Sequence, residues 1–394
     1  MQITTAQVLI AESLSPDSPS YKVYLSHLLE TIVSKGDIQE TGNTRQADLE
    51  LAAQEICQLL RPWAILAPAQ SRIDDKDDAE NIAKLQREAW FNIVVHGITP
   101  GSTLYQKHYE ELRVIAVHSK TLIAEDRADQ ADSDIELNPI LRRGINGPHT
   151  TEMKKRLIKL LGSQESNIKA LTYPRVIFLS AAYLVETLRA DGGSCAHILS
   201  YFLDPGVNQN EMGSCMAAVA DQVIALYLRR TLEGRYAHSS ASHVAEQLAM
   251  VLKGCCHRIV RVQQVAVKCA DRIISQTPSS LCQKSSLFTL LELLTIMWSS
   301  CLEAEIDEYE WKSTHVSTLG NVSLELSDDY EFRRKTLEAF YKRSRTWMMM
   351  VINVAPLDVK GLLQVNPRSC TANIVTYNIR RTFRIMTTME LMDI

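Results

Sequence analysis

The chain has 394 residues, with 42 Lys+Arg against 46 Asp+Glu and a formal net charge of −4. That balance excludes a strongly basic nucleic-acid binder at the level of the whole chain. Its 46% hydrophobic and 22% charged residues fit a globular protein, and 15 Gly and 12 Pro are too few for a collagen-like or turn-rich all-β chain.

Apolar residues recur at helical spacing almost throughout. Tyr21, Leu25, Leu28, Leu29 and Ile32 form one stripe, ended at Lys35-Gly36-Asp37; Leu49, Ala52, Ala53, Ile56, Leu59 and Leu60 form the next, expected to stop before Pro62. Ile82, Leu85, Ala89, Trp90 and Ile93 follow, ending near His96-Gly97. Further helices are predicted at 104–117, 151–161, 174–188, with Pro174 in its first turn, 195–203 and 212–232. Longer patterned stretches cover 242–274, 279–306 and 327–354. Strand signals are weak, since only 321–326 alternates and no hairpin dipeptide joins two alternating runs. The longest apolar run, Leu287 to Trp298, carries Glu292 and is about half of the ~20 residues a membrane span needs. It reads as a buried core helix.

The expected fold class is therefore all-α. Ten or more helices with short connections suit an extended α-solenoid of stacked, armadillo- or HEAT-like helix pairs better than one bundle. No fixed repeat period of the tetratricopeptide or ankyrin kind is present. Acid-rich segments at 73–80 and 125–136 read as solvated loops or helix ends. With Pro139 and Gly144, the stretch 128–147 is the candidate boundary between N-terminal helical repeats (1–140) and a second helical region (148–364).

The motifs that carry common chemistry are missing. There is no G-x-x-x-x-G-K-[ST], G-x-G-x-x-G, H-E-x-x-H or G-x-S-x-G. Asp271-Arg272 looks like the start of a lipid-kinase catalytic loop, but Ile273 stands where that loop has histidine, and Asp-Phe-Gly is absent. No catalytic residue, cofactor site or metal site is expected. Cys255-Cys256-His257 with Cys269 and Cys282 suggests zinc, yet the later cysteines are not in close pairs and sit on apolar helical faces. They read as buried structural thiols, and His257 as a helix-surface residue. The nine cysteines and the lack of a secretory leader at Met1–Thr5 suggest a reducing, cytosolic setting.

Two basic clusters remain. Arg258, Arg261, Lys268 and Arg272 fall on one side of a helix, opposite Val262, Ala266, Cys269, Ala270 and Ile273. Such a stripe suits either a solvated face or contact with an acidic partner or anionic lipid. Lys154, Lys155, Arg156 and Lys159 are open to the same two readings. Met348-Met349-Met350 after Trp347 suits either an adaptable contact surface or, as expected here, core packing on a helix buried on more than one side.

From Cys256 the text is distinctive: CHRIVRVQQVAVKCADRIISQTPSSLCQKSSLFTLLELLTIMWSSCLEAEIDEYEW, then LELSDDYEFRRKTLEAFYKRSRTWMMMVINVAPLDVKGLLQ. It resembles the helical region upstream of the catalytic domain in type III alpha phosphatidylinositol 4-kinases, most of all the fungal members. The best-matching blocks are Leu287–Trp311 and Leu326–Gln364. The resemblance implies a parent enzyme that uses ATP and magnesium to phosphorylate phosphatidylinositol at the 4-hydroxyl. It also implies a solenoid that dimerises and docks to membrane-anchoring scaffold proteins at the inner face of the plasma membrane. On that basis this chain is expected to be a non-catalytic middle slice of the solenoid, partnered by the rest of the kinase and prone to aggregate alone. The alternative is an independent helical-repeat adaptor that binds a protein partner. Val365–Ile394 loses both the resemblance and the helical pattern, as intron read-through or a shifted reading frame would produce.

Overall fold

The computed structural model describes residues 2–36, 46–73, 75–124, 133, 135, 138–142, 147–234, 240–306, 312–317, 322–357 and 362. Two of the expectations above, the acid-rich stretch 125–136 for the most part and the segment 365–394, fall outside these residues. The chain divides into two compact units, Met1–Tyr227 and Leu228–Ile394. Both are all-α among the described residues except for one short hairpin, and both are built from packed helix pairs in the manner of a solenoid.

In the first unit, α1 (Gln2–Ser13) packs on α3 (Gln46–Leu66), and α2 (Pro19–Lys35) packs on α3 and α4 (Lys76–Val95). The start of α2 is set by Ser18, whose hydroxyl accepts from the Ser20 N–H while Pro19 occupies the first turn. Asp75 does the same for α4, accepting from the Asp77 and Asp78 N–H groups, and those two carboxylates lie at the positive end of the helix dipole. The chain leaves α4 through Gly97 at φ 76°, a left-handed conformation that glycine adopts without a Cβ penalty. The acids at 75–80 are thus helix-start residues.

Pro62 does not end its helix. α3 runs on to Leu66, because Trp63 and Leu66 beyond the proline are buried, and Trp63 lies 5.8 Å from Trp90 of α4. Packing of two indoles outweighs the loss of one backbone hydrogen bond. Trp90 in turn donates its indole N–H to the Ser119 hydroxyl at 3.1 Å. The helix expected at 104–117 is broken into α5 (Thr103–Lys107) and α6 (Tyr109–His118), with His108 at φ −110° between them. Just past the break, Tyr109 donates its hydroxyl to the Asp191 carboxylate.

The remaining helices of this unit are α7 (Pro139–Arg142), α8 (Gly147–Leu160), α9 (Glu165–Ala170) and α10 (Tyr173–Asp191). The segment expected at 195–203 is a 3-10 helix, Ala196–Leu203. α10 is buried almost all round and packs on α4, α6, α7 and α8. Ile140 and Leu141 of α7 are buried against α4 and α10, and the division between the two units falls within α11 (Asn210–Leu232).

One polar cluster sits inside this unit. Arg189 of α10 is 1% exposed and spreads its guanidinium over three carbonyls. Nε donates to Ala116 O at 2.9 Å, and Nη2 donates to Ser119 O at 2.5 Å and Lys120 O at 3.1 Å. Nη1 donates to Glu186 Oε1 at 2.5 Å, which also accepts from the Tyr201 hydroxyl at 3.0 Å. Burial still pushes the Glu186 carboxyl up, against the pull of Arg189 and Tyr201. The guanidinium thus closes the carbonyl end of α6 and ties it to α10.

The second unit is organised around α14 (Lys284–Ile306). α12 (Ala241–Gly254) and α15 (Tyr330–Val354) pack on it, and α13 (Val260–Gln276) packs on α12. The 3-10 turn Pro278–Cys282 touches all four. α14 buries Leu287, Leu290, Leu291, Leu293, Leu294, Ile296 and Met297, each leucine contributing roughly 1.5–3 kcal/mol. Its 23 residues are long and apolar enough to cross a membrane by length and composition, more than the run Leu287–Trp298 suggested. In this fold they serve as the unit's core helix. The weak alternation at 321–326 is a real strand: β2 (Ser323–Glu325) pairs antiparallel with β1 (Thr314–Val316), His315 opposite Leu324.

Arg189→Ala would leave the buried Glu186 carboxyl with Tyr201 alone as donor and strip the guanidinium from the carbonyls of Ala116, Ser119 and Lys120. It should cost about 3–5 kcal/mol in urea unfolding, with less than about 1 kcal/mol contradicting the role assigned to it.

Candidate interaction surface

Cys255, Cys256, Cys269, Cys282, His257, Asp271 and the first basic cluster singled out by sequence lie in the second unit. α13 is the most cleanly amphipathic helix there: Val262, Val265, Ala266, Cys269, Ala270, Ile273 and Ile274 are buried on one face. The four basic residues opposite them are not equivalent. Arg258 precedes the helix and lies 3.5 Å from Glu325 on β2. Arg261 donates to Gln264 at 3.5 Å and is half-buried, as is Arg272; Lys268 is exposed. The stripe therefore splits: Arg258 braces the hairpin, Arg261 reaches along its own helix, Arg272 is half-buried, and Lys268 faces solvent.

His257 is not on a helix surface. It lies in the turn between α12 and α13, where its Nδ1 accepts the Ile259 N–H at 3.1 Å and its carbonyl accepts from Gln263 Nε2 at 2.7 Å. Ile259 caps α13 without a side-chain acceptor of its own, so the imidazole supplies one. Burial, reinforced by Arg258, pushes His257 down to about 4. The neutral ring is the form that accepts at Nδ1.

Cys255, Cys256, Cys269 and Cys282 are buried free thiols, and burial raises the Cys255 and Cys256 pKa. No group of three His, Cys, Asp or Glu that could hold a metal ion occurs among the described residues. Asp271, the residue that gives the chain its faint likeness to a kinase loop, has a structural task. Its Oδ1 accepts the Trp347 indole N–H at 2.8 Å, and its Oδ2 lies 2.9 Å from Arg343 Nη2. This carboxylate joins α13 to α15, as does Gln263, which donates to the Thr336 hydroxyl at 3.2 Å.

The second basic cluster lies on α8 of the first unit. Lys155, Arg156 and Lys159 are exposed, Lys154 donates to Lys169 O at 2.8 Å, and Arg156 is 3.1 Å from Glu152. The two clusters belong to different units.

Two features escaped the sequence reading. The first is a groove of about 570 Å³ between α12 and α14, lined by Glu246, Met250, Lys253, Lys284, Phe288 and Glu292 among others. Glu292, at 7% exposure, has its carboxyl pushed up by burial, with Ser317 and Lys253 acting the other way. Its only signal in the sequence is a lone acid inside an apolar run. The second is the end of α15. Met349 is 54% exposed and Ile352 39%, followed by Val354 and Leu357 at 63% and 81%. The methionine run is therefore buried on one side only: Trp347 and Val351 face inward, and Met348 packs on the Leu287–Leu291 cluster.

The histidine gives a pH dependence with a definite sign. Unfolded, His257 takes up a proton near 6.5, whereas folded it resists until about 4, so native stability should fall as pH drops through that window. Urea midpoints at about pH 7 and about pH 5 should separate more for the wild type than for His257→Gln; equal losses would contradict the assignment.

No protein-family model matches the chain. Two curated relatives match nearly all of it. One is phosphatidylinositol 4-kinase STT4 of Saccharomyces cerevisiae, 30% identical over 363 residues that make up 90% of this chain and 19% of the relative. The other is phosphatidylinositol 4-kinase stt4 of Schizosaccharomyces pombe, 26% identical over 362 residues, 92% of this chain and again 19% of the relative. The chain spans about a fifth of the length of these relatives, and along that fifth it is homologous to the fungal phosphatidylinositol 4-kinases.

Proposed function

We propose that the chain is a non-catalytic, scaffolding and regulatory helical segment of a 1-phosphatidylinositol 4-kinase, the kind of enzyme that converts phosphatidylinositol to phosphatidylinositol 4-phosphate with ATP and magnesium. The observation that carries this is the match along nine-tenths of the chain to one fifth of two such kinases. The chemistry agrees with it. Asp271 is occupied by Trp347 and Arg343, and Ile273 stands where a catalytic histidine would be. Stacked helix pairs supply broad faces rather than a phosphate cradle. The natural partners are the rest of the kinase chain, a second copy of the kinase, and proteins that anchor it to the inner face of the plasma membrane. ATP and magnesium belong to the parent, not to this segment. Apolar side chains left on the surface of the first unit, Leu9, Ile10, Val23 and Leu51, are suited to contact with such neighbours.

The groove between α12 and α14 favours one other reading, an independent helical-repeat adaptor that holds a protein partner there. Immunoprecipitation of the native protein separates the two. Phosphatidylinositol 4-kinase activity should co-purify with it, while the recombinant 394-residue chain should have none. Turnover by the recombinant chain would overturn the non-catalytic role, and a precipitate without lipid kinase activity would select the adaptor.

A further inference from the structure

α15 carries two faces with different chemistry. Counting about 100° per residue, Arg334, Lys335, Lys342, Arg345, Met349 and Ile352 fall in one arc of about 100°, and all six are exposed. Leu337, Phe340, Ser344, Trp347 and Val351 occupy the opposite, buried arc. Glu331 and Glu338 belong to the first half of the helix, where both lie within ion-pair reach of Arg334. Beyond Glu338 there is no acid until Asp358. Over that stretch the arc carries Lys342 and Arg345 and then Met349 and Ile352, with Val354 and Leu357 exposed at and beyond the helix end.

We infer that the C-terminal half of α15 is a contact surface for an anionic lipid bilayer: Lys342 and Arg345 meet headgroup phosphates while Met349 and Ile352 enter the interface. Three observations choose this occupant. The cations are arrayed along the outer ridge of one helix, where laterally mobile headgroups can gather around them. The row of exposed apolar side chains follows the cations on the same arc, the layout of a segment lying in a membrane interface. A second copy presenting the same face would bring cation against cation, which opposes self-association there. The residues involved differ from those of the α13 stripe. This deepens the reading of the chain as part of a membrane lipid kinase, and the two fail separately: one is decided by co-purifying activity, the other by lipid binding.

The test is sedimentation of the purified 394-residue chain with phosphatidylcholine vesicles, either pure or carrying about 30% phosphatidylserine. Binding should require phosphatidylserine and weaken as salt is raised from about 0.1 M to about 0.5 M. Lys342→Glu with Arg345→Glu should weaken it by at least about tenfold. Met349→Ser with Ile352→Ser should weaken it while leaving the salt dependence in place. Both double variants change exposed side chains, and unchanged far-UV circular dichroism should accompany the loss. Equal binding to both vesicle types, or no effect of the charge reversal, would overturn the inference. So would capture of soluble poly-glutamate in place of vesicles, which would assign the face to an acidic protein.

Discussion

A helix whose apolar stripe covers one side cannot be stable alone in water, and this constraint shapes the whole chain. Each stripe has to find another, on the next helix or the one after it, as α12 does with α13 and α14. Where a stripe widens to cover most of a helix, that helix becomes the centre of its unit. α10 plays this part in the first unit and α14 in the second. Neither centre is purely apolar. α10 carries the Glu186–Arg189 pair, satisfied by carbonyls at the end of α6, and α14 carries Glu292 at the edge of a groove. In both places a buried charge marks where the packing of one helix depends on the identity of its neighbour.

The same constraint explains why the second unit presents chemistry on its outside rather than in a cleft. With α14 consuming the apolar faces of α12 and α15, the outer faces of α13 and α15 are left for solvent or a partner. Asp271 sets those two faces side by side by holding Trp347 and Arg343 at once. A carboxylate that in a kinase loop would serve phosphoryl transfer here acts as a brace. That is consistent with a segment that positions other parts of a lipid kinase, as the match to one fifth of the fungal enzymes suggests.

Much of this was legible from periodicity, because stripes at helical spacing are what a helix must bury. The helices at 19–35, 76–95 and 173–191 begin and end where their Ser, Asp, Pro and Gly residues indicate. What periodicity does not carry is the competition between local preference and tertiary contact. Pro62 signals a stop, and only the pairing of Trp63 with Trp90 shows why the helix continues. The methionine run looks like core in sequence, whereas its exposure depends on which side of α15 meets α14. The four-residue basic stripe was visible as a pattern, but its split between the hairpin and the solvent depends on Glu325, distant in sequence.

The central claim is that this helical chain works as a segment of a much larger lipid kinase. The most direct measurement is the size of the native polypeptide, read by an antibody against the α14 segment on a denaturing gel of source-cell lysate. The account predicts a band several times heavier than 44.4 kDa, in keeping with relatives of which this chain spans 19%. A sole band near 44.4 kDa would contradict it.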